Sequence, residues 1–487
     1  MCLAVAALTS AEAAALQFEV SYSQAVSGRP FSGRVFVLLS RTQNHALPSG
    51  PNWFAPEPFF AVDVKDWKPD QPLALDGAAL SCPVPLAKVT AGVYWVQAVM
   101  DFERGRSFSA AEGNGFGEPV RCDLNPAASE TVKLRIDRVY QERPFQETER
   151  VKLARVPSKL LSTFHGRPIH LRAGVVLPES FAREPSRRYP VLYEIPGFGG
   201  DHFMAFQSVQ RPGVAPAGVE MIHVYLDPSC PLGHHVFADS ENNGPYGQAL
   251  VEELIPAIEK SYRALGAPAA RLVTGHSSGG WSSLWLQVTY PDFFGGVWST
   301  APDPVDFRDF QRINLCKPGA NMFVDENGRA RPVARLGGGR TIEYKPFSDM
   351  EVVMGHGGQL GSFEAVFSPR GPDGKPRRLW DRTTGKIDAE TAKSWERFDI
   401  RLVLERNWKT LGPKLAGKLH VYMGSEDTFY LEGATILLQK SLAELGSDAK
   451  VEIFPGRDHR TLMDGAMRQR IAQEMAEQFR LHYRENR

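Results

Sequence analysis

Ser277 stands between glycines at two-residue spacing on either side, in the run Gly275-His276-Ser277-Ser278-Gly279-Gly280. A serine hydroxyl is a poor nucleophile at neutral pH; it attacks a carbonyl when a base takes its proton and a third group orients that base. The Gly-x-Ser-x-Gly pattern suits a serine held on a sharp turn from strand to helix, where a Cβ on either flank would strike the neighbouring chain. A plain Gly/Ser loop fits the same five residues. The preceding sequence favours the turn: Arg271-Leu272-Val273-Thr274 is a short strand pattern, and further upstream Leu250, Leu254, Ile258 and Tyr262 recur four apart, as one face of a helix does.

The partners of such a serine follow in the order acid, then histidine, each in a turn after a later strand. Leu419-His420-Val421-Tyr422-Met423 leads into Gly424-Ser425-Glu426-Asp427, and Val451-Glu452-Ile453-Phe454 leads into Pro455-Gly456-Arg457-Asp458-His459. Asp427 is therefore expected to be the orienting acid and His459 the base. Glu426 is an alternative acid, and Asp303 or Asp306 would serve in a variant topology. Of the 12 histidines, His276 lies inside the turn and is poorly placed to take its neighbour's proton, while His234, His235 and His356 fall in loops. The turn Pro196-Gly197-Phe198-Gly199-Gly200 follows another strand pattern and is of the kind that aims backbone N–H groups at a developing negative charge. An ordinary strand-to-helix loop has the same composition.

The elements needed to position these residues are visible from residue 189 onward, where strand and helix patterns alternate as in a parallel sheet. Strands are expected at 191–195, 221–226, 271–274, 296–299, 419–423 and 451–454. Met463, Met467, Ile471, Met475 and Phe479 recur four apart, which predicts a core-facing helix. Over a hundred residues separate the strands ending at 299 and starting at 419, far more than such elements need. An insertion at about 303–417 is expected, with turn clusters at 325–328, 337–339 and 372–375 and a helical pattern at 388–408; it is either a lid or cap over the strand ends or decoration. Residues 17–141 carry short β-rich runs between turns, which predicts a small antiparallel sandwich, joined by a charged linker at 137–150. Its Trp53, Phe54, Phe59, Phe60, Trp67 and Trp95 are either core or a sugar-binding face, and core is the commoner use.

At 487 residues the chain suggests two domains, and 43% hydrophobic with 23% charged residues is the composition of a globular protein. Lys+Arg and Asp+Glu both total 56, so no global field collects nucleic acid or anionic membrane. No apolar run approaches the roughly 18 residues of a membrane span. Residues 1–15 resemble the apolar part and cleavage site of a secretory signal without its positive start, which predicts a secreted or periplasmic protein; an Ala-rich helix or tail is the alternative. Loss of that segment with Cys2 would leave Cys82, Cys122, Cys230 and Cys316, an even count that suits an oxidising compartment. Pairing Cys82 with Cys122 and Cys230 with Cys316 keeps each bridge within one domain, and free thiols fit equally. No Cys-x-x-Cys or His-x-x-x-His spacing suggests a structural metal.

From about residue 151 to its end the chain resembles an α/β-hydrolase of the putative-esterase family, which includes feruloyl esterases, enterochelin esterases, S-formylglutathione hydrolases and mycolyltransferases. The matching residues are Pro196-Gly197-Phe198-Gly199-Gly200, Glu253-Leu254-Ile255-Pro256, the run 275–280, Gly424-Ser425-Glu426-Asp427 and Asp458-His459. The resemblance implies an α/β-hydrolase sheet with a cap insertion, preceded here by the small all-β sandwich-like domain. It implies Ser277 as nucleophile, His459 as general base and then acid, Asp427 holding the imidazole, and the backbone N–H groups of Phe198 and Ser278 as oxyanion hole, with no cofactor or metal. The family often has His-Gly where this chain has Pro196-Gly197, and the insertion is long; both bear on substrate more than on reaction. The expected activity is that of a serine carboxylesterase acting on a small-molecule or carbohydrate-linked ester through an acyl-enzyme. Acyl transfer, peptide hydrolysis and non-catalytic carbohydrate binding are the alternatives.

Overall fold

The structure is a computed structural model that describes residues 16–43, 51–102, 112–209 and 218–483. The signal-like segment at 1–15 lies outside the described residues. The chain divides into two compact units, Met1–Glu142 with Asp349–His356, and Arg143–Ser348 with Gly357–Arg487.

The second unit is built on an eight-stranded sheet. Its strands in chain order are β1 (Val151–Ser158), β2 (Ile169–Val176), β3 (Val191–Ile195), β4 (Ile222–Leu226), β5 (Arg271–His276), β6 (Gly296–Thr300), β7 (Leu419–Gly424) and β8 (Lys450–Phe454). They lie in the order 1-2-4-3-5-6-7-8, with β1, β2 and β4 joined antiparallel and the rest parallel. Parallel strands are covered on both faces and therefore read as apolar runs; all five residues of β6 and all six of β7 are buried. Each strand expected from the sequence at 191–195, 221–226, 271–274, 296–299, 419–423 and 451–454 is present, with ends within two residues.

Two helices fix this sheet around the serine. α1 (Ser278–Thr289) leaves β5 directly. The Met/Ile stripe forms part of α4 (Gly465–His482), whose Met467, Ile471 and Met475 pack with Leu192, Leu272, Trp298 and Met423. Asp464 caps it by accepting from Met467 N–H at 2.9 Å. Burial of each such side chain contributes about 1.5–3 kcal/mol. The upstream face Leu250, Leu254 and Ile258 is buried as expected, on a helix that passes through one π turn at Leu250–Leu254.

Between β6 and β7 lie the helix Tyr344–Met354, α2 (Gln359–Phe367) and α3 (Ile400–Leu415), with shorter elements around them. The helical pattern at 388–408 is two helices, because Asp388 and Asp399 each cap a new start by accepting from a backbone N–H at 2.8 Å. α3 packs against α1 and supplies the crossover that a parallel connection needs, so the insertion proper ends before it. In this segment the buried Trp395 meets Phe307, Phe310 and Phe367, and Phe367 in turn packs 5.1 Å from Trp281 of α1.

The first unit is mainly β, with a 3₁₀ turn at Leu86–Lys88 and the end of the helix Tyr344–Met354. Gln17–Tyr22 lies between Leu73–Leu75 and Thr131–Ile136 in one sheet, and Phe31–Ser40, Phe59–Trp67 and Gly92–Asp101 are the long strands of a second. Phe18, Val20, Val35, Val37, Phe60 and Val96 share one core. An antiparallel arrangement was expected, yet Gln17–Tyr22 pairs parallel with Thr131–Ile136. Strands so distant in sequence are not bound to the antiparallel sense that a hairpin imposes. Phe59, Phe60 and Trp67 are core residues, whereas Phe54 is 39% exposed and Trp53 and Trp95 are half-buried. The segment 349–356 joins this unit through Arg34, which donates to the carbonyls of Val352 and Val353 at 2.7 and 2.9 Å, and through His356 against Asp101 at 3.0 Å.

Cys82, Cys122, Cys230 and Cys316 are all free. The proposed Cys82–Cys122 bridge fails on topology: Leu80–Cys82 and Val120–Leu124 are separated by three intervening strands. That is about 19 Å at 4.8 Å per strand, beyond the roughly 7 Å limit of a disulfide. Cys230 is buried with its thiol against Asn243, while Cys316 is exposed. Among the described residues no helix is long and apolar enough to cross a membrane.

Candidate active site

Ser277 sits at the junction of β5 and α1 with φ 60° and ψ −125°, a left-handed conformation that costs a non-glycine residue about 1–3 kcal/mol. The turn is held by hydrogen bonds from Ser277 N–H to Thr300 O at 3.0 Å and from Trp281 N–H to Ser277 O at 3.0 Å. The flanking glycines are required by contact. A Cβ on Gly275 would lie 2.1 Å from Gly279 O, one on Gly279 would lie 1.9 Å from Ile195 O, and one on Gly280 would lie 2.6 Å from Thr300 O. The close approach of β3, β5 and β6 to the start of α1 thus depends on the absence of side chains.

Asp427 and His459 occupy the turns after β7 and β8, at the same end of the sheet. His459 Nδ1 lies 2.7 Å from Asp427 Oδ2, and Asp427 is fully buried. The second oxygen of Asp427 accepts from Phe429 N–H at 2.8 Å. The two turns are tied together: Glu426 N–H donates to Arg457 O at 2.9 Å, Ser425 N–H to Phe454 O at 2.9 Å, and Gly456 N–H to Ser425 Oγ at 2.9 Å. Asp458 closes the histidine turn by accepting from the amides of Arg460 and Thr461 at 2.9 and 2.7 Å. The His459 ring packs 4.6 Å from the ring of His276, the residue before Ser277, and 5.0 Å from Phe429.

Of the alternative acids, Glu426 and Asp306 are placed elsewhere. Glu426 has a side chain 60% exposed and faces Arg335 at 2.9 Å. Asp306 is buried between Arg308 and Arg401. Asp303 accepts from the Ser278 hydroxyl at 2.6 Å. Burial lowers the proton affinity of His459, but the hydrogen bond and charge of Asp427, with help from Asp303 and Asp458, outweigh it and hold the pKa above the ordinary 6.5. His276 is pushed down to about 3 by burial, then by the nearby His459 and Arg468, so it remains neutral. Its Nδ1 lies 3.0 Å from Thr300 Oγ1.

The turn after β3 meets the serine. A Cβ on Gly197 would lie 3.1 Å from His276 O and 3.3 Å from Ser277 Cβ, so Gly197 lets Pro196–Gly200 press against the serine turn. Gly200 N–H donates to Gly197 O at 3.0 Å, and Gly199 takes φ 81°, leaving Phe198 at the bend. The Ser278 N–H is the first of α1 and has no acceptor within the helix. The structure therefore gathers Ser277, Ser278, Asp427, His459 and the Phe198 turn at one rim of the sheet.

Sequence reasoning missed two supporting features. His234 donates from Nε2 to Pro196 O at 2.9 Å, while its Nδ1 accepts from Val236 N–H at 3.1 Å. Burial pushes it down to about 4, and in this neutral tautomer it braces the Phe198 turn. The insertion braces the acid turn from outside. Arg335 N–H donates to Thr428 O at 2.7 Å, the Arg335 guanidinium pairs with Glu426 and Glu432 and lies 4.1 Å over the Tyr430 ring, and Gln311 donates to Phe429 O at 3.1 Å.

A cavity of about 1270 Å³ opens on the α4 side of the sheet, with Leu192, Glu194, His223, Thr274, His276 and Met475 in its wall. Ser277, Asp427 and His459 do not line it, so it lies behind the serine turn. Among the described residues no group of three or more His, Cys, Asp or Glu side chains is arranged to hold a metal ion.

A parallel-centred sheet with a strained serine between strand and helix, and an Asp–His pair after its last two strands, defines an α/β-hydrolase. The family described as Putative esterase matches residues 165–482, and the chain belongs to that family. Membership supports an ester hydrolase acting on a small-molecule ester. Comparison with the curated proteins gives no match. Among solved structures, a ferulic acid esterase is 15% identical with a TM-score of 0.42, covering 68% of this chain and 99% of its own. The S-formylglutathione hydrolase of Agrobacterium tumefaciens is 14% identical with a TM-score of 0.42, covering 69% and 98%. The fluorophosphonate-binding serine hydrolase F of Staphylococcus aureus is 12% identical with a TM-score of 0.39, covering 68% and 98%.

Proposed function

We propose that the chain is a serine carboxylesterase with Ser277 as nucleophile, His459 as base and Asp427 as the carboxylate that orients it. The observation that carries this reading is the 2.7 Å pair of His459 Nδ1 with buried Asp427, at the sheet rim where Ser277 is held at φ 60°. With Nδ1–H committed to Asp427, the Nε2 lone pair is the proton acceptor.

Ser277 Oγ attacks the ester carbonyl as His459 Nε2 takes its proton. The negative charge that forms on the carbonyl oxygen is stabilised by the backbone N–H groups of Phe198 and Ser278. Collapse breaks the bond to the alcohol, which leaves with the proton from His459, and the acyl group stays on Ser277. Water then attacks, giving its proton to His459; collapse returns that proton to Ser277 Oγ and frees the acid.

An acylated carbohydrate or an aromatic ester is the proposed substrate class, and a panel of acetyl, feruloyl and short-chain acyl esters separates the two. Ser277→Ala is expected to lower p-nitrophenyl ester hydrolysis by at least about 10³-fold with an unchanged thermal unfolding curve. Turnover near the wild-type rate would overturn the assignment.

A further inference from the structure

Ser278 and Asp303 form a buried polar pair that the three-residue reading does not use. Ser278 is 1% exposed and Asp303 is 5% exposed. The Ser278 hydroxyl donates to Asp303 Oδ2 at 2.6 Å and accepts from Gln359 Nε2, at the start of α2, at 3.3 Å. Gln359 therefore occupies the acceptor side of the hydroxyl and leaves its proton directed at the carboxylate. Asp303 also touches the nucleophile's own peptide, donating its N–H to Ser277 O at 3.3 Å. One residue after β6 thus grips both sides of the peptide whose N–H is assigned to the oxyanion.

A carboxylate in such a place is costly to bury, and a hydrogen bond from a hydroxyl offsets only part of that cost. A neutral side chain of similar shape would brace Ser278 equally well. The charge has a use where a positive charge develops during reaction, and that charge develops on His459.

We propose that Asp303 is a positioning residue of the active site, which fixes the Ser278 amide and sets a second carboxylate behind the Asp427–His459 pair to stabilise the imidazolium as it forms. The proposal rests on the reading of His459 as the base. His459 faces Asp427 from the turn after β7, Asp303 from the turn after β6, His276 from the end of β5 and Asp458 within its own turn. Asp303 faces Ser278, His459 and Asp427, and its carboxyl is pushed up to about 6 by burial against the pull of the Ser278 hydroxyl and His459.

Asp303→Asn separates charge from shape, since the amide oxygen still accepts from the Ser278 hydroxyl. With loss of the negative charge, the acid limb of kcat/KM is expected to move to lower pH by about half a unit or more. An acid limb at the wild-type position in a folded Asn variant would overturn the proposal, because a structural brace alone does not move it. If Asp303→Asn unfolds below the assay temperature, Ser278→Ala carries the test. It keeps the amide and the carboxylate but removes the hydroxyl between them, and about a tenfold fall in plateau kcat/KM is expected with the limb in place. A plateau within about twofold of wild type would overturn the proposal. Failure of the underlying reading is recognised separately: an active Ser277→Ala enzyme rejects both proposals, whereas an inactive one with an unmoved Asp303→Asn limb rejects only this one.

Discussion

His459 is held between two opposed effects, burial that disfavours its protonated form and the Asp427 carboxylate that favours it, and the carboxylate prevails. In the proposed mechanism the base acts only when neutral, so proton binding abolishes attack by Ser277. Because its pKa is raised, the loss begins at higher pH than for a free imidazole. The acid limb of kcat/KM for the wild-type enzyme is expected to have its midpoint above pH 6.5, read from rates across a buffer series; a midpoint at or below that value would contradict the geometry around His459. At this scale Ser277, Asp427 and His459 were legible because each follows a strand pattern in a fixed chain order. Asp303 follows a strand pattern too and is an alternative acid on that ground, but its partner Ser278 had no such signal, and neither did His234. The contacts of His234 and Asp303 run to Pro196 and Ser278, 38 and 25 residues away in sequence, and neither periodicity nor a local motif encodes a bond across that distance.

Among the elements, the parallel strands were legible because burial on both faces leaves little room for polar residues, as β6 and β7 illustrate. The interior of the insertion was less so. Its short helices and turns pack on aromatic residues scattered from Phe307 to Trp395, and a single acidic cap at Asp399 broke what read as one helix at 388–408. The contact between the last two strand ends is the most exacting of these placements. A Cβ on Gly424 would lie 2.2 Å from Arg457 O, so any side chain there drives the acid turn and the histidine turn apart. Gly424→Ala is expected to lower kcat/KM on the order of 10²-fold, since about 1 Å of misplacement between reacting groups has that effect. Steady-state kinetics beside a thermal melt provide the check, and wild-type turnover in the variant would show that the two turns need not be held so closely.

For the whole molecule, the change from short β runs to alternating strands and helices marked where one kind of architecture gives way to another. That signal could not reveal that residues 349–356 belong with the first unit, since Arg34 and His356 bind partners more than 250 residues away. Nor could cysteine counting recognise that the strands carrying Cys82 and Cys122 are too far apart to be bridged. What the fold does as a unit is bring three turns, after β5, β7 and β8, to one rim, and the proposal is that a single hydroxyl there becomes reactive. Reaction of the full chain with a fluorophosphonate, followed by mass mapping of the adduct, tests that most directly. One adduct is predicted, on Ser277, forming at least about 10²-fold more slowly in His459→Ala. Modification at another residue, or none at all under conditions that label a control serine esterase, would contradict it.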